Sequence, residues 1–395
     1  MAKIGIVGQA PVPAENAAGL PHVCFVAPKA WPVFSGDSSI AIVGGAEVQQ
    51  SMLARMLAQA GYPVSMICLD YGQPQGAVVD GVTVYKAYRP NAGVPVLRFF
   101  HPRLTGMWRA MATVDADIYY QRSPGMLTAV VAAFCRHHGK TSVYAGASDH
   151  DFLPNHEDIR LRRDRWLYEH SLGRVDQVVV QNEKQQRDCL VYYGRQSTLI
   201  PSAYQLRPGA SPGGGDRILW VSTMHRDKRP ELFLELVRRL PQFKFVMIGG
   251  PGAAPGDTDY FNSLQHTAAT FPNLEFTGFL PLPEVEGWFD RAAVLVNTST
   301  HEGMPNTFLQ AWSRGIPTVT LFDTGSRLLG ARVCNVVRDI REAAIEISRL
   351  FSDELYRRRS STRCREYFAH THEPAGVIAN YMRLFDKLAA ARSGQ

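Results

Sequence analysis

A chain of 395 residues is too long for one hydrophobic core and suits two or three domains at ~150 residues each. With 45% apolar and 20% charged residues, it is neither a disordered chain, a collagen-like repeat nor a disulfide miniprotein. Forty-two Lys and Arg against 36 Asp and Glu leave +6, too small an excess to mark a nucleic-acid binder but suited to an anionic substrate or membrane surface.

Residues 4–8 are apolar enough for an edge strand, but the Pro- and Ala-rich stretch after them has no helical period. Residues 1–20 therefore read as a peripheral or disordered extension. Regular alternation begins with the apolar run 22–26 and a long loop to Gly44-Gly45. Over 46–60, Val48, Met52, Leu53, Met56, Leu57 and Ala60 recur at helical spacing. Gly61 stands where a C-terminal cap belongs, and 64–69 reads as the next buried strand. This is a βαβ unit, which implies a parallel sheet with right-handed crossovers. Further strands are expected at 118–120, 142–144 and 177–180.

The Gly-, Pro- and Ser-rich stretch 207–216 reads as a linker. A second series follows: strand 218–221, a helix over 230–240 opened by Pro230, and strand 243–249. It continues with strand 294–297, a helix around 307–313, Gly315 and strand 318–321. After Pro374, residues Val377, Ile378, Tyr381, Leu384, Phe385 and Leu388 share one helical face. The expected fold class is α/β: two doubly wound Rossmann-like domains facing each other across a cleft. The first spans 1–206 and is completed by a C-terminal helix over 375–392; the second spans 217–372.

Cys24, Cys68, Cys135, Cys189, Cys334 and Cys364 form no close pair, which predicts reduced thiols. No apolar run approaches ~20 residues, and the N-terminus lacks a basic-then-apolar signal. The expectation is a cytoplasmic chain.

The most informative segment is 301–317 (HEGMPNTFLQAWSRGIP). Glu302 follows a buried strand, and Gly303, Pro305 and Asn306 keep the backbone turned ahead of a helix starting near Thr307. Free N–H groups and the positive end of the helix dipole make such a place suited to a phosphate. Gln310, one turn in, is placed to hydrogen-bond a ligand hydroxyl. A tight strand-to-helix turn with a capping Asn accounts for the same residues. The run Glu302-Gly-Met-Pro-Asn-x3-Gln310, then Gly315-Ile-Pro317, resembles the E-x7-E motif of the retaining glycosyltransferases of family 4. That resemblance covers about residues 22–390 and implies the GT-B fold, with a nucleotide-sugar donor held mainly by the C-terminal domain.

The resemblance implies that Glu302 lies near the donor sugar hydroxyls, with Gly303, Met304, Pro305, Asn306 and Thr307 around the donor. The family's second glutamate, which binds the ribose, is replaced by Gln310, a neutral partner. The segment 221–228 (VSTMHRDK) resembles the family's diphosphate segment V-G-R-x4-K. Lys228 matches its lysine, Thr223 stands in place of its arginine, and Arg226 or Arg229 is a candidate compensating cation. Gly44-Gly45-Ala-Glu47 resembles the family's GGAE loop near phosphate or acceptor. Gly249-Gly250 and Gly278 fit strand ends around the nucleotide. His150-Asp151 matches a His-Asp pair that touches the donor sugar in many members, which makes His150 a third catalytic candidate. The surrounding segment 149–158 is rich enough in imidazoles and carboxylates for a metal site or a polar surface loop. The resemblance favours metal-free chemistry.

Arg160, Arg162, Arg163 and Arg165 crowd beside Trp166 and Leu167, as on a solvated helix face or a contact with an anionic membrane. The resulting expectation is a retaining hexosyltransferase with a UDP- or GDP-sugar donor, no required cofactor or metal, and a saccharide or lipid-linked acceptor. It serves surface polysaccharide or glycoconjugate biosynthesis, peripheral to the inner membrane face, with no nucleic-acid partner. A non-catalytic sugar-nucleotide binder and an epimerase or phosphorylase on the same scaffold are the alternatives. A nicotinamide oxidoreductase has only Gly5-Ile-Val-Gly8, which lacks the glycine-rich turn into a helix.

Overall fold

The structure, a computed structural model, describes residues 19–36, 44–94, 98–154, 159, 161–211, 213–252 and 254–393. The candidate edge strand at 4–8, most of the 1–20 extension, and His156, Glu157, Asp158 and Arg160 lie outside the described residues. The chain divides into two units, the first running to Ala203 and resuming at Pro374, the second spanning Tyr204 to Glu373.

In the first unit the strands are β1 (Val23–Val26), β2 (Val64–Cys68), β3 (Ala77–Val79), β4 (Val82–Lys86), β5 (Ile118–Arg122), β6 (Thr141–Ala145), β7 (Gln177–Val180) and β8 (Thr198–Leu199). They form one sheet in the order β3-β4-β2-β1-β5-β6-β7-β8, parallel except where β3 pairs antiparallel with β4. Every residue of β1, β2, β5 and β6 is buried, as expected for parallel strands covered by helices on both faces. Helix Gly45–Gln59 follows the predicted apolar stripe and ends just before Gly61, whose φ of +89° suits glycine. The expected long loop before it contains the short helix Trp31–Ser35. Helix Pro374–Ser393 lays Val377, Tyr381, Leu384 and Phe385 into the core with Val23, Phe25 and Met66. At ~1.5–3 kcal/mol per buried large side chain, that face holds the terminus in place.

In the second unit, β9 (Arg217–Val221), β10 (Lys244–Ile248), β11 (Leu274–Gly278), β12 (Ala292–Asn297) and β13 (Thr318–Thr320) are followed by three short strands. A small antiparallel pair, β14 (Arg327–Leu328) and β15 (Ala331–Arg332), precedes β16 (Asn335–Val336). The six-stranded parallel sheet runs β11-β10-β9-β12-β13-β16. Helix Pro230–Arg239 begins on its proline and buries Phe233, Leu234, Leu236 and Val237 against the sheet.

The stretch 207–216 differs from a free linker. Arg207 pairs with Asp290, and the Gly213 amide donates to Arg314 O at 2.8 Å. A Cβ on Gly215 would stand 1.7 Å from Arg291 O. Its glycines therefore permit close backbone approach to the second unit, and the chain changes unit earlier, between Ala203 and Tyr204.

Candidate active site

The carboxyl ends of β9, β10, β11 and β12 carry the second unit's polar loops, where ligands bind in open α/β sheets. Close packing there depends on glycine. Gly249 has φ +156°, and a Cβ on it would lie 1.8 Å from Ser222 O. The Gly249 amide donates to Gly278 O at 2.9 Å, and Gly278 itself has φ +71°.

Beyond β9, His225 caps a single 3-10 turn, Arg226–Lys228, and Arg229 reverses the chain with φ +46° before the proline-started helix. This turn is stitched to the loop after β12. Thr298 Oγ1 donates to Lys228 O at 2.6 Å and accepts from Trp220 Nε1 at 2.9 Å. Arg229 Nε donates to Thr298 O at 2.8 Å, and the Thr300 amide to Asp227 O at 3.1 Å. These bonds bring Lys228 Nζ to 2.5 Å from Glu302 Oε1. Ser299 Oγ donates to the same oxygen at 2.8 Å, while the Ser299 amide is held by Asn297 Oδ1 at 2.8 Å. Both charged side chains keep a solvent-facing edge, 26% for Lys228 and 18% for Glu302.

Gly303 and Met304 are buried just beyond, and helix Asn306–Ser313 starts after Pro305 with no side-chain cap. The first-turn amide of Thr307 is thus oriented for an anion at the end of the loop that carries Glu302. A cation, a carboxylate and a helix N-terminus lie together at strand ends, an arrangement suited to a phosphorylated, hydroxyl-bearing ligand.

Family comparison assigns the chain. The model described as Glycosyltransferase Family 4 matches residues 43–206, and that described as Glycosyl transferases group 1 matches 215–353. The chain belongs to the glycosyltransferases. No curated protein matches its sequence. Among solved structures it resembles sucrose-phosphate synthase from Thermosynechococcus elongatus at 16% identity and TM-score 0.74, over 94% of this chain and 100% of that one. It also resembles Anabaena HepE, solved in complex with UDP and glucose, at 14% identity and TM-score 0.69, over 93% and 99% of the two chains. A Rickettsia africae glycosyltransferase superposes at 12% identity and TM-score 0.64, over 94% and 99%. At these identities the likeness establishes the shared GT-B fold.

Within this glycosyltransferase, Gln310 takes a different place from the expected ribose-facing one. Only 4% exposed, it donates through Nε2 to Glu286 Oε1 at 2.5 Å. Glu286 in turn accepts from Arg314 at 2.6 Å, and Arg314 also donates to Asp290 at 2.9 Å and to Gln310 O at 3.1 Å. Burial pulls the Arg314 guanidinium down, but bonds to Tyr204 and Asp290 and the Glu286 charge outweigh it and raise it above its ordinary value. The position after β12 turns residue 310 toward helix Leu282–Phe289, where a buried carboxylate needs donors. Sequence reading missed this network, because nothing in the spacing of Glu286, Asp290 and Arg314 distinguishes them from surface charges.

The candidate compensating cations are also occupied. The Arg226 guanidinium lies 4.7 Å over the Tyr260 ring, and Arg229 serves the carbonyls of Thr298 and Ser299. Thr223 is exposed at the end of β9.

In the first unit, Gly44 is the N-cap of helix Gly45–Gln59, and the Glu47 carboxylate folds over it. His150 sits in the 3-10 turn Asp149–Phe152 after β6, partly exposed. Its neighbour Asp151 is 2% exposed and closes a capping box with Ser148. Asp151 Oδ2 accepts from the Ala147 amide at 2.6 Å, the Ser148 amide at 3.2 Å and Tyr144 OH at 3.2 Å. Burial pushes its carboxyl up to about 6, against those bonds and the Arg122 charge. Asp151 therefore braces the turn that presents His150. Among the described residues no three His, Cys, Asp or Glu side chains converge as metal ligands.

Proposed function

We propose that this glycosyltransferase is a retaining, metal-independent hexosyltransferase that uses a UDP- or GDP-sugar. The observation that carries the reading is the 2.5 Å pair of Lys228 and Glu302 beside the uncapped helix Asn306–Ser313. An arriving diphosphate competes with Glu302 for Lys228 and takes the first-turn amide of Thr307 as a further donor. Glu302, released from the lysine but still held by Ser299, then accepts from a sugar hydroxyl. As the glycosidic C–O bond breaks, negative charge grows on the leaving diphosphate and Lys228 stabilises it more strongly than in the ground state. The acceptor hydroxyl attacks the oxocarbenium-like carbon from the departing face and gives its proton to the leaving phosphate oxygen, so configuration is retained. In this reading Thr223, Gly278 and residues 303–307 line the donor. The buried bond of Gln310 to Glu286 argues for a bracing role there.

HepE crystallised with UDP-glucose supports a nucleotide sugar as donor here. The acceptor in this reading is a saccharide, free or lipid-linked, at the cytoplasmic membrane face, as in surface polysaccharide or glycoconjugate assembly. The test incubates the full chain with labelled UDP- and GDP-sugars and a cell-envelope fraction, with a chelator present. Labelled glycoside of the donor's own anomeric configuration is expected; an inverted product, or transfer abolished by the chelator, refutes the mechanism.

A further inference from the structure

The first unit exposes large apolar side chains from two distant segments joined in space. One is the turn Phe99–Leu104, where Phe99 and Phe100 pack edge to face at 4.9 Å and Phe100 remains 59% exposed. The other is helix Arg162–Leu172 with the residue before it, where Leu161 is 56% and Trp166 60% exposed. The Arg163 guanidinium lies 3.7 Å over the Phe99 ring and fastens the two segments into one surface. Trp166 stacks on His170 at 5.1 Å and stays largely exposed on the helix surface.

The first segment is strongly basic and the second weakly so, +3 and +1. Residues 98–109 carry three arginines and no acid; residues 161–170 carry three arginines against Asp164 and Glu169. Asp164 is already tied to Arg163 at 2.7 Å. This local excess is most of the chain's +6. Exposed Phe and Trp side chains favour the zone between headgroups and acyl chains, and arginines beside them pair with lipid phosphates. Among the described residues no helix is long and apolar enough to cross a membrane, so contact through this surface is peripheral.

We infer that the Phe100–Trp166 surface docks the first unit on an anionic lipid bilayer, with the aromatic rings inserted at the interface and Arg98, Arg103 and Arg162 on the headgroups. This rests on the proposed membrane-side acceptor for its purpose, while docking itself requires neither donor nor acceptor.

The test sediments the full chain with phosphatidylcholine vesicles, with and without phosphatidylglycerol. Binding is expected only with the anionic lipid and should weaken as salt is raised. The Phe100→Ser/Trp166→Ser and Arg98→Glu/Arg162→Glu variants should each bind at least about tenfold more weakly. A charge-matched control, Arg357→Glu/Arg359→Glu on helix Glu354–Thr371, should bind as the parent does. All changed residues except half-buried Arg357 are exposed, and unchanged thermal unfolding will show that the fold is intact. Trp fluorescence should shift blue on anionic vesicles, and Trp166→Phe should remove that shift. Parent binding that both surface variants retain overturns this surface and leaves the membrane-side acceptor standing. Failure of the parent to bind anionic vesicles overturns both. Capture of soluble acidic polysaccharide without vesicle binding also overturns the lipid surface, in favour of an acceptor-binding one.

Discussion

Lys228 and Glu302 lie 74 positions apart, yet both were nameable from sequence because the segments around them resemble the family's motifs. What the sequence could not supply was the stitching: Thr298, Ser299 and Arg229 fix the two loops by side-chain bonds to backbone carbonyls, which leave no compositional trace. Lys228→Ala should weaken donor binding and remove ~2–4 kcal/mol of transition-state stabilisation, visible as a fall in kcat/KM. Because both partners keep solvent contact, the same change should cost only about 1 kcal/mol or less in folding stability. Gln310 was legible as a polar residue one turn into a helix, but its direction was not. In the structure, Gln310→Glu sets a second carboxylate against buried Glu286, so it should destabilise the second unit by about 1–3 kcal/mol. Chemical unfolding measures this, and unchanged stability would mean that the amide is not committed to Glu286.

At the scale of elements, the parallel strands were readable because burial on both faces leaves continuous apolar runs. The β3–β4 hairpin escaped that reading: half-exposed strands give no such run, although Asp80-Gly81, both at positive φ, is a strong turn signal. Helix Met126–His138 was similarly masked, since Val130 and Val131 in an apolar stretch fit strand or helix equally. The turn carrying His150 allows a pH prediction through Asp151. Its carboxyl titrates near 6 in the folded chain instead of the usual 3.8. Between those values the folded state holds the extra proton, so stability should fall as pH rises from about 4 to about 6 and level off above. Carbon-detected NMR should place the Asp151 midpoint near 6, and Asp151→Asn should flatten that part of the stability curve. A midpoint near 4 would contradict the burial argument.

For the whole molecule, alternating periodicity was enough to read an α/β chain, and the fold comparisons establish GT-B. The position of the unit boundary was less legible, because the glycines at 213 and 215 serve contact with Arg314 and Arg291 where composition alone reads as flexibility. The C-terminal helix belongs to the first unit's core although it follows the second in sequence. Removing residues 374–393 should therefore lower the unfolding temperature of the first unit more than that of the second. Limited proteolysis followed by mass spectrometry reads which unit is cut first; earlier loss of the second unit would contradict that packing. A nucleotide-sugar donor site built around Lys228 and Glu302 is decided by calorimetric titration of UDP- and GDP-sugars into the full chain and its Lys228→Ala variant. At least one of these donors should bind the parent chain and bind the variant at least about tenfold more weakly, the loss of one charge-assisted phosphate contact. Equal affinity in the two proteins, or no binding of any donor by the parent, would contradict it.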